Sequence, residues 1–169
     1  NGVTCMCPDA DFGDTGTLTI NGVDKTFTKR TRTQLDAIIA NDQQDPEISM
    51  TCTSSITDMS FLFDGKDTFN QDISHWDVSN VTNMQNMFWS ADSFDQPINV
   101  WDVSSVTNMV GIFGRANSFN QDIGSWNVSS VTNMTGLAIW TQNFNSGLSS
   151  WDVSNVTSLR HAFLDAREF

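Results

Sequence analysis

The sequence contains no tyrosine, although phenylalanine and tryptophan are abundant, at 12 and 6 residues. Large rings without hydroxyl groups suit interior packing, so the aromatic residues predict a core. Positive charge is also scarce: 8 Lys and Arg stand against 20 Asp and Glu, which gives a formal net charge of −12. Such a surface repels phosphate groups, so we expect neither nucleic acid nor anionic lipid as a partner.

Long apolar runs are missing as well. No run approaches the roughly 20 residues that a helix needs to cross a bilayer, so we expect no membrane insertion. The sequence begins with Asn1 rather than Met, which favours a removed signal peptide over a fragment. We therefore expect an extracellular protein, either secreted or held at the cell surface.

Residue patterns of common catalytic sites are also absent. Serine is abundant, but neither a Gly-X-Ser-X-Gly motif nor a Gly-rich phosphate loop occurs. His75 and His161 are far apart in the sequence, and each is more typical of a surface or packing residue than of a catalytic group. We therefore expect no enzyme activity.

Cysteine is limited to Cys5, Cys7 and Cys52, which allows one disulfide and leaves one thiol over. Cys5 and Cys7 are too close in sequence to pair easily, so Cys52 is expected to pair with one of them. The alternative is three reduced, inert thiols. Cys-X-Cys alone lacks the spacing of a zinc site.

What the chain does contain, from about Ile48 onward, is a repeat of 25 residues. Identical residues in neighbouring repeats should touch, so we expect their aromatic rings to form a stacked or offset core. The columns at this step are Trp76, Trp101, Trp126 and Trp151, and Phe69, Phe94, Phe119, Phe144 and Phe169. A further Phe column is interrupted at Ala138, where we expect Ile139 or Trp140 to compensate.

A unit of this length holds one short helix, one short strand and two turns. In the second unit, Ser79 is a good N-cap, and Val81, Met84 and Ala91 follow at helical spacing. Phe94 then opens a short extended segment. The sequence therefore predicts an α/β solenoid of about five strand–helix coils.

Two segments, residues 69–84 and 119–134, carry the repeat almost literally, as FNQDISHWDVSNVTNM and FNQDIGSWNVSSVTNM. They resemble the BspA-like leucine-rich repeats, in the variant of unknown function first noted in mycoplasma surface lipoproteins. The resemblance covers residues 46–169 and implies a right-handed solenoid with a parallel sheet on one face and helices on the other. Members of that family are secreted or surface-anchored proteins of bacteria, protists and algae that are implicated in adhesion.

Residues 1–45 lie outside the repeat and predict a different structure. Residues 17–20, an Asn21-Gly22 turn and residues 23–28 are typical of a β-hairpin. Thr31 or Thr33 then starts a helix, which ends within residues 42–46. A solenoid needs its first coil covered, so we interpret this region as an N-terminal cap.

The other end of the sequence has no comparable cap, since it stops at Phe169 in register with the Phe that opens each strand. One interpretation is that further repeats follow. The other is that Phe163 and Phe169 lie in an open end that docks on the cap of another copy, which gives a head-to-tail filament. The leftover cysteine would then be able to link neighbouring copies covalently.

Two kinds of surface site also follow from the repeat. Four Asn-X-Ser/Thr motifs are glycosylation candidates in a eukaryotic secreted protein, unless they merely reflect capping chemistry: Asn80, Asn127, Asn133 and Asn155. We expect no cofactor, and calcium is the alternative, because five acidic residues that could supply oxygen ligands recur near turns: Asp72, Asp77, Asp102, Asp122 and Asp152.

Together these features predict a non-catalytic extracellular structural or adhesion protein that assembles head-to-tail into a surface fibre or matrix. The alternative is a monomeric adhesin that binds a surface protein or a glycan. A third interpretation is ice binding by the column of Thr82, Thr107, Thr132 and Thr157. It ranks last because these threonines are predicted at helix starts rather than on flat strands.

Overall fold

The computed structural model describes residues 4–20 and 22–169. Its helix and strands are β1 (Thr15–Ile20), β2 (Val23–Lys29), α1 (Arg32–Asn41) and β3 (Thr51–Cys52). β1 pairs with β2 in antiparallel fashion, and β2 pairs with the short β3 in parallel. The hairpin and the helix lie where the sequence predicted them, and Gly22 adopts a φ of 78° in the turn. Asn21, the other predicted turn residue, lies outside the described residues.

α1 begins with a reciprocal cap at Thr31, the first of the two threonines that the sequence left open. The Gln34 N–H donates to the Thr31 hydroxyl, and the Gln34 side chain accepts from the Thr31 N–H. Leu35 and Ile39 follow one turn apart and are buried against the first repeat. The helix therefore owes its position to an apolar stripe that faces the core.

The predicted solenoid of strand–helix coils is wrong. Within the described part of the chain after Cys52, successive turns replace the helices, and the only regular pairing consists of isolated β-bridges. Parallel bridges join one residue of each repeat to its equivalent in the next, in the series Asp58, Asn83, Asn108, Asn133 and Ser158. The extended segment expected after Phe94 is likewise not a strand.

The stretch that was predicted as helix pairs instead with the next repeat. In the second unit, Met84, Asn86, Phe88 and Ser90 donate their N–H groups to carbonyls of the following repeat, at 2.8–2.9 Å. Those donors are then unavailable for the bonds within a helix. Asn86 and Ser90 also adopt left-handed φ angles of 52° and 54°, which an α-helix does not accommodate.

Turns therefore account for the apolar spacing that resembled a helix. Met87 donates its N–H to the Met84 carbonyl, and Ala91 donates to the Phe88 carbonyl, so successive turns bring the same apolar residues inward. Ser79 is not a helix N-cap, since its N–H and hydroxyl both donate to the Asp77 carboxylate in a turn. The spacing of the apolar residues thus predicted correctly which side chains are buried, but it predicted a helix where the backbone forms turns.

Phenylalanine rings form the continuous part of the core. The column Phe69, Phe94, Phe119 and Phe144 stacks with centroid separations of 5.8–6.2 Å. Where Ala138 interrupts the other Phe column, Phe144 itself contacts Phe113 at 6.5 Å and Phe163 at 6.2 Å. Ile139 is buried, whereas Trp140 is 40% exposed and fills no part of this gap.

The predicted Trp column lies beside these stacks. Among the described rings, Trp76, Trp101 and Trp126 each contact a Phe, at centroid distances of 5.9–6.3 Å, rather than one another. Trp101, Trp126 and Trp151 also donate their indole N–H to the carbonyl of an isoleucine in the preceding repeat. Trp101 and Trp126 therefore supply both packing against a Phe and a bond between repeats, whereas the buried indole N–H of Trp76 has no acceptor among the described residues.

α1 covers the first repeat, and Arg32 is the residue that completes its backbone bonding. In later repeats, the carbonyls equivalent to those of Asp58 and Ser60 accept N–H groups from the repeat before. Here the Arg32 guanidinium donates to both carbonyls at 2.8 Å, while its Nε pairs with Asp36. One planar side chain thus substitutes for two main-chain donors.

Replacing Arg32 with methionine should lower the free energy of unfolding by about 1–2 kcal/mol, because two carbonyls lose charged donors while the apolar stem is kept. Urea denaturation measures the change. The matched control is Arg160→Met at an exposed arginine, for which we expect less than about 0.5 kcal/mol. Equal losses in the two variants would contradict the role assigned to Arg32.

Candidate binding surfaces

The disulfide joins Cys7 to Cys52, with Cα atoms 6.5 Å apart and a sequence separation of 45. Of the two pairings that the sequence left open, this is the one present. The bond ties the segment before β1 to the end of β3, and the Cys7 N–H also donates to the Ser54 hydroxyl. The hairpin is thereby attached to the first repeat.

Cys5 is the remaining thiol, and it is buried. Its N–H donates to the His75 carbonyl at 2.8 Å, and it forms a parallel bridge with Trp76. Burial, together with the charge of Asp77, raises the pKa of the Cys5 thiol to about 11. A covalent link between copies through this residue, as the sequence suggested, would require Cys5 to leave its buried position.

Cys5 should react slowly with iodoacetamide in the folded protein. With a pKa of about 11, only about one thiol in a thousand is ionised at pH 8, and the thiolate is the reactive form. The alkylation rate should therefore rise about tenfold for each pH unit up to pH 10. Mass spectrometry follows the modification, and urea-unfolded protein is the control; equal rates in the two states would contradict the burial.

A cavity of about 250 Å³ lies between the segment before β1 and the hairpin, lined by Cys5, Leu18 and Phe27 among others. Lys29 also borders it and is almost fully buried. Its Nζ donates to the carbonyls of Pro8 and Ala10, so the one amine at the cavity is already bound. The surroundings are apolar and next to the disulfide, which is typical of imperfect packing in a small sheet.

The two histidines are placed differently. His75 is buried, its ring lies edge-on to Phe27, and a ring nitrogen is hydrogen bonded to the Ser49 carbonyl. Burial lowers the pKa of His75 more than this bond and the charge of Asp72 raise it. His161 lies on the surface. The two side chains belong to separate repeats.

The five recurring acidic residues form turns. Each accepts the N–H of the residue two positions later at 2.9–3.1 Å: Asp72, Asp77, Asp102, Asp122 and Asp152. Burial raises the pKa of Asp72, but hydrogen bonds from Ser74 and the charges of His75 and Lys25 outweigh it, so that pKa lies below its usual value. Among the described residues, no three His, Cys, Asp or Glu side chains are grouped to hold a metal ion.

The glycosylation candidates differ in the state of the amide nitrogen that would carry a glycan. Asn80 and Asn155 are exposed, but each donates its Nδ2 to a serine carbonyl of the preceding repeat at 2.8 Å. Asn133 is half-buried and lies in the column of residues that the parallel β-bridges join from Asp58 to Ser158, which we call the bridged strip. Asn127 is exposed, and among the described residues its Nδ2 has no hydrogen-bond acceptor. The geometry therefore favours Asn127.

Two rows of polar side chains run along the bridged strip. In the outer row, the hydroxyls of Thr82, Thr107, Thr132 and Thr157 each donate to the carbonyl of the threonine one repeat earlier, at 2.9–3.3 Å. In the adjacent row, Asn83 donates to Asp58 and Asn108 donates to Asn83. These bonds hold the side chains in one orientation along the surface.

The face of the last repeat carries Phe163 and Phe169, the residues that the sequence assigned to an open end. Phe163 is half-buried and Phe169 is 52% exposed, with their rings stacked 4.2 Å apart. Among the described residues, the N–H groups of Leu159 and His161 have no acceptor in another repeat.

A further surface feature departs from the repeat. Trp89 and Trp140 lie outside the Trp column, and their rings meet edge-to-face at 6.2 Å. The Arg115 guanidinium lies over the Trp140 ring, 4.7 Å from its centroid. We call Trp89, Arg115 and Trp140 the aromatic patch. Sequence reasoning missed it, although the two tryptophans that break the column were a usable signal.

Comparison with protein families agrees with the repeat pattern. The family described as "Mycoplasma protein of unknown function, DUF285" matches residues 33–139 and 125–169. The chain belongs to this family. No curated protein and no solved structure matches the chain significantly.

The match to the DUF285 family covers α1 from its second residue and all of the repeats, but it leaves out the hairpin. The family description assigns no activity, so the surfaces described above carry the functional argument. In the part of the chain that the structure describes, no helix is long and apolar enough to span a bilayer.

Proposed function

We propose that the protein is a non-catalytic extracellular adhesion module, related to the BspA-like repeat proteins that its sequence resembles. The observation that carries this proposal is the pair of polar rows along the bridged strip. Hydrogen bonds from repeat to repeat hold their hydroxyl and amide groups, so these groups are already ordered before a partner binds. A preorganised surface loses little side-chain entropy on binding, which favours recognition over a broad contact.

Two features support a location outside the cell. The Cys7–Cys52 disulfide suits an oxidising compartment, because cytosolic thiols are normally kept reduced. The formal net charge of −12 keeps the protein soluble and disfavours anionic partners. Both features are expected of a protein that works in an extracellular medium.

The covered first repeat bears on the choice between a fibre and a monomeric adhesin. Extending the bridged strip head-to-tail requires the carbonyls of Asp58 and Ser60, but Arg32 already binds both. A second copy would have to displace α1 as well. This contact favours the monomeric adhesin, and assembly into a fibre stays a prediction that sedimentation velocity at high concentration tests directly.

An adhesion assay tests the proposed function. Beads coated with the oxidised protein should attach to cells or to extracellular matrix more strongly than beads coated with an unrelated protein of similar acidity. Thermally unfolded protein is the matched control, because it keeps the composition and loses the ordered rows. Attachment no stronger than that of either control would overturn the proposal.

Ice binding is a second candidate. From the sequence it ranked last because the threonines were expected at helix starts, and the structure removes that objection. The threonines do not start helices; Thr57, Thr82, Thr107, Thr132 and Thr157 form one exposed row. Parallel pairing sets a spacing of about 4.8 Å between neighbours in such a row. Thermal hysteresis of the purified protein tests the idea, with Thr107→Lys as the disrupting variant and Thr17→Lys as a control outside the row. Absence of hysteresis in the parent protein would eliminate this candidate.

A further inference from the structure

We propose that the aromatic patch of Trp89, Arg115 and Trp140 binds a neutral oligosaccharide. The inference rests on the proposed adhesion function and specifies the class of ligand that one surface of the module would take. Sugars present a C–H face that packs on aromatic rings and hydroxyl groups that both donate and accept hydrogen bonds. The patch and its surroundings offer partners for each of these groups.

Two glycines of the next repeat make room for the Trp89 ring in the patch. The ring lies across Gly111 and Gly114, where a Cβ on Gly114 would come within 2.3 Å of the indole carbon Cε3. A Cβ on Gly111 would also approach the same ring, at 3.0 Å. The absence of side chains at these two positions therefore allows the indole to lie against the backbone of the next repeat.

Trp140 supplies the exposed ring. It is 40% exposed, adopts a φ of 60°, and stands edge-on to Trp89. A bulky side chain in the left-handed region is uncommon and carries a backbone cost. The same left-handed φ occurs at the equivalent residues of the other repeats, Gly65, Ser90, Arg115 and Asp165, so it belongs to the turn of the repeat. What distinguishes this position is the exposed indole ring.

Arg115 orders one side of Trp140 and leaves its donors available. Its guanidinium lies 4.7 Å from the Trp140 ring centroid. Among the described residues, Arg115 makes no ion pair and its side chain donates no hydrogen bond. The stacked guanidinium is thus held in place with its N–H groups free to bind sugar hydroxyls.

Two hollows meet at Trp140 and Gln142. The larger, of about 400 Å³, is bordered on its other sides by Ser90, Asp92, Arg115 and Asn117. The smaller, of about 280 Å³, is completed by Asp165 and Arg167. Two adjacent hollows that share an aromatic wall suit consecutive units of one oligosaccharide chain, and the volume of the larger lies within the range of ligand sites.

The charge around these hollows indicates a neutral ligand. Each hollow contains one arginine and one aspartate, so the local charges balance. Asp92 accepts a hydrogen bond from Asn117 at 2.9 Å, which leaves carboxylate lone pairs as acceptors for sugar hydroxyls. A polyanionic glycan would instead meet a protein with a formal net charge of −12.

The test uses a panel of neutral tetrasaccharides (maltotetraose, cellotetraose, laminaritetraose, mannotetraose and chitotetraose) with hexuronate tetramers and heparin fragments as acidic probes. Tryptophan fluorescence and saturation-transfer NMR report binding to the intact chain. We expect at least one neutral probe to bind with a Kd below about 1 mM, and Trp140→Ala to weaken it about tenfold. Phe61→Ala is the matched control, since Phe61 is also exposed, at 47%, and has a φ of 59°.

Gly114→Ala provides a second variant that leaves both tryptophans and Arg115 in the chain. Displacement of the Trp89 ring should weaken binding of the same probe and shift the Trp89 indole resonance, whereas a variant that only lost stability would unfold at lower temperature without changing affinity at 10 °C. Circular dichroism confirms that each variant is folded before its affinity is interpreted.

Three results would overturn the proposal: no neutral probe binding with a Kd below about 1 mM, equal affinity in the Trp140→Ala variant, or binding confined to acidic probes. Bead attachment measured with the same variants separates this inference from the proposed function. Attachment without any oligosaccharide binding removes the site and leaves the adhesion module. Oligosaccharide binding without bead attachment would keep the site and contradict the proposed adhesion function.

Discussion

Replacing Trp126 with alanine should lower the free energy of unfolding by about 4 kcal/mol. Trp126 is 3% exposed and packs against Phe113 at a centroid distance of 6.1 Å. Its indole N–H donates to the Ile98 carbonyl at 3.0 Å. Alanine therefore leaves a cavity between repeats and removes one of the two hydrogen bonds to the Ile98 carbonyl, which keeps the bond from the Trp101 N–H.

Trp126→Phe separates these two losses. Phenylalanine keeps most of the ring and removes the donor, so this variant should lose about 1–2 kcal/mol, the part due to the bond with Ile98 and to the smaller volume. The remaining difference from alanine measures the packing. Urea denaturation followed by circular dichroism gives both values.

Trp140→Ala is the matched control for Trp126→Ala, because the residue type is the same and the ring is 40% exposed. We expect it to change the free energy of unfolding by less than about 1 kcal/mol. Equal losses at Trp126 and Trp140 would contradict the assignment of Trp126 to the core and of Trp140 to the surface.

Loss of the Cys7–Cys52 disulfide should cost about 2–4 kcal/mol, because the bond closes a loop with a sequence separation of 45. Cys7→Ser is the appropriate variant, since Cys7 is half-buried whereas Cys52 is 1% exposed and would place a polar group in the core. Thermal or urea unfolding under oxidising conditions measures the loss relative to the parent chain.

Reductant provides the control for this variant. In excess dithiothreitol, the parent chain and Cys7→Ser should have the same stability within about 0.5 kcal/mol, because neither then contains the bond. Cys5→Ala should retain the oxidised stability that Cys7→Ser loses. If Cys5→Ala instead lost as much as Cys7→Ser, pairing through Cys7 would be contradicted.

The polar surface shows why part of the structure escaped prediction. Ser79 has the residue type of a helix N-cap, and Val81, Met84 and Ala91 have helical spacing, yet the same residues form turns. Short polar side chains stabilise turns and helix starts by the same hydrogen bonds. What decides between them is the neighbouring repeat, whose carbonyls accept the N–H groups that a helix would use internally.

The functional surfaces were predictable to different degrees. The pairing of Cys52 with one of two cysteines followed from their number and spacing, but the choice of Cys7 required the path of the chain beside β3. The sequons were visible as motifs, while the free amide of Asn127 was not. The aromatic patch joins three repeats, so its members have no local pattern in common.

By itself, the sequence determined the period of 25 residues, the Phe and Trp columns of the core up to Phe144 and Trp126, and the hairpin and helix that precede them, whereas Trp151 is only half-buried and Phe169 is exposed. Those features depend on which residues recur and on local turn, strand and helix propensities, both of which can be read from the sequence. Tertiary structure alone decided three features. Each repeat is built of turns, Arg32 donates to two carbonyls of the first repeat, and the rings of Trp89 and Trp140 are in contact. The physical reason is that backbone bonds in this protein run between repeats, so the conformation of each one depends on its neighbours.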